Sequence, residues 1–482
     1  MKSEQQSVFC NQINSKPFDE SKIDQSLTQR RNANYKPNFW KYDFLQSLKS
    51  QYFEGKYKIE AQKLKEEVLC ILAEIVNPLS KLELIDSINK MSLSHLFEKE
   101  IMLSLQDMEY AKKYSSSEMD LYSTALHFRI FRQYGYNVPQ DVFLSYMDEM
   151  GEQFEVDANM DPKTMVQLFE ASHLALEDEN MLDGARIFCN KNLKSSTNII
   201  PLHWMVEWYN ARRQISKQEN EARESNLKLL QLAKLNFNII QAEHQKDLAD
   251  ILSWDPREVE QLPSCMKTCF WKLYDTTNDV ALAIQQQKGW KLPVSIYLQK
   301  VWAEFCKALL VEAKWDSEGY TPTFCEYLDN GWKSSGGPVL SLHVLFGLAQ
   351  DLSQVNDFLE NEQDLVYYSS LIIRLCNDLE TSTAELERGD VSSSILCYMR
   401  KADVKEDVAR EHIKDMVMET WKKMNKHSIE NNSSSLRPLM KYIMNIARVT
   451  HFIYQNGDGF GVQDGETRQQ ILSSLVQPLP LM

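Results

Sequence analysis

LIIRLCNDLETSTAELERGD, residues 371–390, is the stretch on which the reading of this chain turns. Just upstream, residues 365–380 run LVYYSSLIIRLCNDLE, apolar enough for the interior of a helical protein. Arg374, Asn377, Thr381 and Glu385 interrupt that run at intervals of three, four and four. Such spacing places all four on one helix face, in consecutive turns. Three oxygen donors stacked in this way suit a hard divalent cation, with waters or phosphate oxygens completing its shell. Arg374, one turn earlier, carries the forked guanidinium that pairs with phosphate. Asp378 stands one position off the face, where it would support the ligands. The same residue types also suit a helix end running out into solvent, so spacing alone leaves both readings open.

The rest of the chain reads as helical too. KIEAQKLKEEVLCILAEI (59–76) sets Ala61, Leu64, Val68, Ile71 and Leu72 on one stripe. LYSTALHFRIFRQYG (121–135) repeats the pattern with Leu121, Ala125, Phe128 and Arg132, and Gly135 is placed to end that helix. Further helices are predicted from 138–147 and 161–176, the second with Pro162 in its first turn. In the second half they are predicted at 226–250, 263–290, 296–315, 338–355, 362–386 and 403–425. Alternation of the strand type is nearly absent. The expected class is all-α.

At 482 residues the chain exceeds one ordinary core, which predicts two domains. The formal charge of -15 argues against a general nucleic-acid partner, which needs a basic face for phosphates. No apolar run is long enough for a membrane span. Nine cysteines without a dense pattern point to free thiols in a reducing compartment; Cys265 and Cys269 are four apart but lack the other ligands of a zinc site. The first twenty residues lack an apolar signal core and mix two Lys with two Glu and an Asp, unlike a transit peptide. Cytoplasm is the expected compartment, or a plastid if residues are missing from the N-terminus.

The string NDLETSTAE (377–385) closely resembles the second metal motif of class I plant terpene synthases, (N/D)-D-x-x-(S/T)-x-x-x-E. The resemblance assigns Asn377, Thr381 and Glu385 to a magnesium ion, or manganese in its place. It puts Arg374 on the substrate diphosphate, with Asn377 beside the substrate. RRNANYKPNFW (30–40) is similar to the tandem-arginine motif of the family and gives Arg30 and Arg31 a catalytic role on a lid. Residues 120–143 and 168–188 resemble the family's N-terminal helical domain. Residues 262–281, 311–338 and 454–460 resemble its catalytic domain, with Asp458 in a loop at the mouth of the site. The implied layout is a flexible arm over 1–29, a barrel-like N-terminal helical domain over 30–215, and a class I helical bundle over 216–482. The implied activity is magnesium-dependent removal of diphosphate from a small prenyl diphosphate by a monomer. Geranyl diphosphate is the expected substrate and farnesyl diphosphate the alternative.

The resemblance also exposes a gap. The family carries an aspartate-rich motif, D-D-x-x-D, facing the second metal motif, yet this sequence contains no two consecutive aspartates. Sequence up to Leu252 resembles a region well before that motif, and sequence from Trp254 a region shortly after it. The bundle is therefore expected to be truncated near 252–254. Asp275 and Asp279 are four apart, and Asp247, Asp250 and Asp255 lie near the junction; solvated or capping roles suit them better than metal. Charge developing on a departing diphosphate must be stabilised by metals and Arg, and loss of core helices would leave apolar faces bare. A catalytically inactive homologue, or a mis-spliced product, is the alternative expectation. Arg213 stands where an aromatic residue is usual. Trp271, Trp302 and Trp315, aromatics in amphipathic helices, read as core, with lining of the family's cavity as the alternative.

Overall fold

The structure is a computed structural model that describes residues 44, 47–112, 119–148, 154, 160–193, 200–221, 227–251, 265–290, 294–388, 392–430, 435–455, 457–458 and 465–481. Arg30, Arg31, Trp40, the arm over 1–29 and the junction at 252–254 lie outside the described residues. Among those described the chain is helical, and the only β features are isolated bridges, Met147 to Phe154 and Gln455 to Gly457.

The first half contributes α1 (Gly55–Glu74), α2 (Pro78–Lys90), α3 (Ser94–Lys112), α4 (Leu121–Gln133), α5 (Pro162–Ser172), α6 (Asn180–Asn192), α7 (Glu207–Glu221) and α8 (Leu227–Ile251). Local chemistry sets their starts. Asn77 accepts the amide of Ser80 and Pro78 opens α2, while Asp120 accepts the amide of Ser123 at 2.8 Å to open α4. Gly135, at φ +82°, ends α4 in a conformation that suits glycine. Residues 140–146 form a 3-10 run rather than the predicted α-helix. Leu64, Val68 and Leu72 bury the α1 stripe, and Phe97, Phe128, Phe131, Leu168 and Leu232 join them in one core. In α4 every side chain from Leu121 to Arg132 except Tyr122 is buried, so the helix runs through the middle of that core.

The second half contributes α9 (Cys265–Lys288), α10 (Val294–Glu318), α11 (Phe324–Ser334), α12 (Gly337–Leu348), α13 (Leu352–Asn361), α14 (Gln363–Arg388), α15 (Ser394–Ala402), α16 (Glu406–Glu430), α17 (Arg437–Tyr454) and α18 (Gly465–Leu475). The single helix predicted over 338–355 is two. The chain breaks at Ala349, and Asp351 caps a new start by accepting the amide of Gln354 at 2.9 Å. Thr323 and Glu326 close a reciprocal capping box at the head of α11. A second core holds Phe346, Phe358, Ile372, Trp421 and Ile443. Its axis is α14, which packs against α11, α12, α13, α15, α16 and α17. At the crossing with α12 a Cβ on Gly337 would lie 2.7 Å from the Ser370 backbone, so only glycine fits there.

Several sets of contacts join these regions. Asn425 donates to the carbonyls of His173 and Ala175 at 3.2 and 3.0 Å and bonds His203 Nε2 at 2.7 Å. Trp204 stacks on Trp421 and on His451. At the far end, Leu479 is buried in the first core, where Asn238 bonds its carbonyl at 2.8 Å and its amide at 2.6 Å. Gln241 and Gln245 donate to the carbonyls of Ser474 and Leu475.

Candidate functional site

The predicted polar face lies on the second half of α14. Arg374 and Thr381 are largely withdrawn from solvent, while Asn377 and Glu385 are half-buried. A helix places such residues in register, but it does not decide what they face; packing brings α11, α10, α15 and α17 to them.

Arg374 is held from several sides. Its Nε donates to the Gly331 carbonyl at 3.3 Å and its Nη2 to Ser334 Oγ at 3.0 Å. Nη1 reaches Asn377 Oδ1 and Asp378 Oδ1, both at 3.4 Å, and Glu312 lies 3.6 Å from Nη2. A Cβ on Gly331 would approach Arg374 Cγ to 3.1 Å, so glycine lets the two helices close on the guanidinium. Burial by itself would lower the Arg374 pKa, but Tyr327, Asp378 and Glu312 outweigh it and raise the value, keeping the group charged.

Asp378 is buried and spends its oxygens inside the protein. Oδ1 accepts the Tyr327 hydroxyl at 2.9 Å, and Oδ2 accepts the Ser394 amide at 2.7 Å in the first turn of α15. Burial, followed by the carboxylates nearby, pushes the Tyr327 phenol well above its ordinary range, so it stays a donor. Asn377 is oriented from both ends, its Oδ1 toward Arg374 and its Nδ2 donating to Tyr454 at 3.0 Å. Burial pushes the Tyr454 phenol up to about 12. The Thr381 hydroxyl donates back to the Asn377 carbonyl at 2.9 Å, leaving its lone pairs for a second partner. Asp458 is half-buried and its charge reaches Tyr454.

Glu312, Tyr327 and Tyr454 escape any reading by spacing, since they come from other helices. The nearest sequence signal is that Tyr454 opens the stretch 454–460 singled out for Asp458, while Glu312 and Tyr327 fall within 311–338. Chemically, the face offers an amide oxygen, a hydroxyl oxygen and one carboxylate, a donor set that fits a single hard cation. Among the described residues no three His, Cys, Asp or Glu side chains come together as a metal-holding group. Asp275 and Asp279 are exposed on α9 and belong to no such group. Trp302 and Trp315 are half-buried, but Trp271, read as core, is 48% exposed.

Two family models match the chain: one described as "Terpene synthase, N-terminal domain" over residues 39–208, and one as "Terpene synthase family, metal binding domain" over 241–423. The chain is 40% identical to an (E,E)-alpha-farnesene synthase of Malus domestica, in an alignment of 569 positions covering 98% of each chain. Limonene synthase solved with 2-fluorolinalyl diphosphate superposes at a TM-score of 0.84 and 30% identity, over 94% of this chain and 100% of that one. Isoprene synthase from grey poplar leaves (Populus x canescens), in complex with three Mg2+ ions and dimethylallyl-S-thiolodiphosphate, gives 0.77 at 30% identity over 92% and 100%. Similar along nearly its whole length and built on the same all-α, two-domain architecture, the chain belongs to the class I plant terpene synthase family.

Proposed function

We propose that this chain is a shortened terpene synthase homologue that keeps one metal-binding half-site and does not turn over a prenyl diphosphate. The observation that carries this reading is the lack of any Asp-Asp pair in the sequence. Asn377, Thr381 and Glu385 would hold one magnesium ion, and Arg374 would meet the diphosphate once released from its internal partners. A bound magnesium supplies charge neutralisation to a departing diphosphate. The donors present fit one such ion; they do not fit the three seen in the poplar isoprene synthase complex.

Two further observations support a missing internal segment. The alignment with the farnesene synthase runs over 569 positions and covers 98% of this 482-residue chain, so many positions meet gaps in it. The first two helices described after residue 252, α9 and α10, are also thinly covered. Of the long apolar α10, only Val294, Leu298 and Ala308 are buried, while Ile296 is 59% and Leu310 55% exposed. Tyr274 and Leu282 are likewise exposed on α9. Apolar helix faces left open in this way are what lost neighbours leave behind. An apolar dye such as ANS is therefore expected to bind the native chain. An Ile296→Lys/Leu310→Lys variant of unchanged helicity should show weaker dye emission; equal emission would count against this account of the surface.

The functional test is incubation of the purified chain with geranyl and with farnesyl diphosphate, with and without Mg2+, beside an Asn377→Ala/Glu385→Ala variant. We expect no magnesium-dependent volatile product or diphosphate release above that variant. Product that needs magnesium and vanishes in the variant would overturn the proposal and make the remaining face a working site. Genomic sequence between the codons of Leu252 and Trp254 gives an independent check: an aspartate-rich helix encoded there would mark the chain as a splicing or gene-model product.

A further inference from the structure

A cavity of about 310 Å³ opens between α7, α17 and α18, with no α14 residue among its described lining residues. Its size lies at the lower end of the range for small-molecule sites, roughly 300–1,000 Å³. At about 30 Å³ per water it has room for roughly ten water-sized groups.

The walls are built rather than incidental. Tyr209 and Phe452 both line the cavity and stack on each other at 4.2 Å and 13°, giving a flat apolar side. Met205 and Val206 extend it. Arg212 ties α7 to the α18 side by donating to the carbonyls of Ser473 and Gln477. Its neighbour Arg213 is left over. It lines the same cavity, is exposed, and among the described residues makes no hydrogen bond or ion pair. Gln455 Nε2, also in the lining, is a buried donor with no acceptor among the described residues. An unmet buried donor is costly, at about 1–3 kcal/mol, and a ligand acceptor would remove that cost. No Asp or Glu is among the described lining residues, in a chain whose formal charge is -15. Among the described residues the cavity thus combines an aromatic wall, an unpaired cation and an idle donor, with no acid to repel an anion.

We propose that this cavity is a second ligand site for a small amphipathic organic anion, its apolar part against Tyr209 and Phe452 and its anionic end on Arg213 and Gln455. A carboxylate and a phosphate monoester share the necessary chemistry. The inference does not depend on whether the α14 face is active.

The test is calorimetric titration of the full chain with sodium octanoate and octyl phosphate, against 1-octanol and acetate. One of the two octyl anions should saturate a single site and bind about tenfold or more tightly than 1-octanol, with no saturation by acetate. The tighter of the two anions identifies the head group. Arg213→Ala, an exposed substitution that should leave the fold intact, should weaken the anion by about tenfold, and Gln455→Leu by less. Failure of both anions to saturate, equal binding of 1-octanol, or unchanged affinity in Arg213→Ala would each overturn the proposal. The last two results would assign any binding to the open apolar faces of α9 and α10.

Discussion

Replacing Arg132 by alanine is expected to destabilise the chain by about 3–5 kcal/mol, read as a fall in the urea midpoint at unchanged slope. Arg132 occupies a core position of α4 with its side chain fully buried. Its Nη1 and Nη2 fork onto both oxygens of Glu179 at 2.6 and 2.5 Å. Nε donates to the Val138 carbonyl and Nη1 to the Leu174 carbonyl, each at 2.9 Å. The guanidinium also lies 4.2 Å from the Phe128 ring centroid. Truncation strands a largely buried carboxylate and two buried carbonyls at once. Arg132→Lys keeps the charge but not the fork and should fall between. Adding Glu179→Gln to Arg132→Ala should recover part of the loss, because it removes the uncompensated charge. A shift below about 1 kcal/mol, the worth of an exposed ion pair, would show that Arg132 carries no more than a surface contact does.

The second large effect is on pH. Burial pushes His203 and His451 down to about 3 and His173 to about 4. His451 accepts the Trp421 indole N–H at 3.0 Å, so it is a neutral acceptor in the fold. Unfolded histidine titrates near 6.5, so between about 6.5 and 4 the unfolded chain takes up protons that the folded chain refuses. The stability these three give is complete above pH 6.5 and is lost as pH falls through that window. Glu170 works against them. Burial raises it to about 7, so between about 4.3 and 7 the folded chain holds a proton that the unfolded one lacks, and its contribution falls as pH rises. Among these four groups, three histidines against one carboxyl make stability fall toward acid between about 4.3 and 6.5. Unfolding midpoints measured across that range should drop steeply toward acid, and less steeply in His451→Gln. A flat profile would mean that these histidines already bind protons in the folded protein.

Helix order was legible in the sequence because periodicity and capping act within a few residues. The stripe of Leu64, Val68 and Leu72, the stop at Gly135 and the proline start of α5 all follow from local rules. The break at Ala349 was missed because the apolar pattern continues past it, and Asp351 reads as a cap only once the chain has turned. The same boundary runs through the site. Arg374, Asn377, Thr381 and Glu385 share a helix, so their common face follows from spacing. Tyr327 meets Asp378 across 51 residues and Tyr454 meets Asn377 across 77, and no local period connects such pairs. Trp271 was misread for a related reason: amphipathic patterning assigns an inner face, and whether anything covers that face is decided elsewhere in the chain.

The bonds from Asn238 to Leu479 set a timetable as well as a fold. They span 241 residues, so the face of α8 that they cover stays bare until translation has passed Leu479. At about 5–20 residues per second that interval is roughly 12–50 s. The N-terminal core cannot close by itself in that time, and loop-closure entropy must be overcome before the contacts form. Newly made chains therefore wait on the ribosome with an open seam, within reach of chaperones and proteases, and a ribosome stalled before residue 479 would release a chain with that seam unsealed.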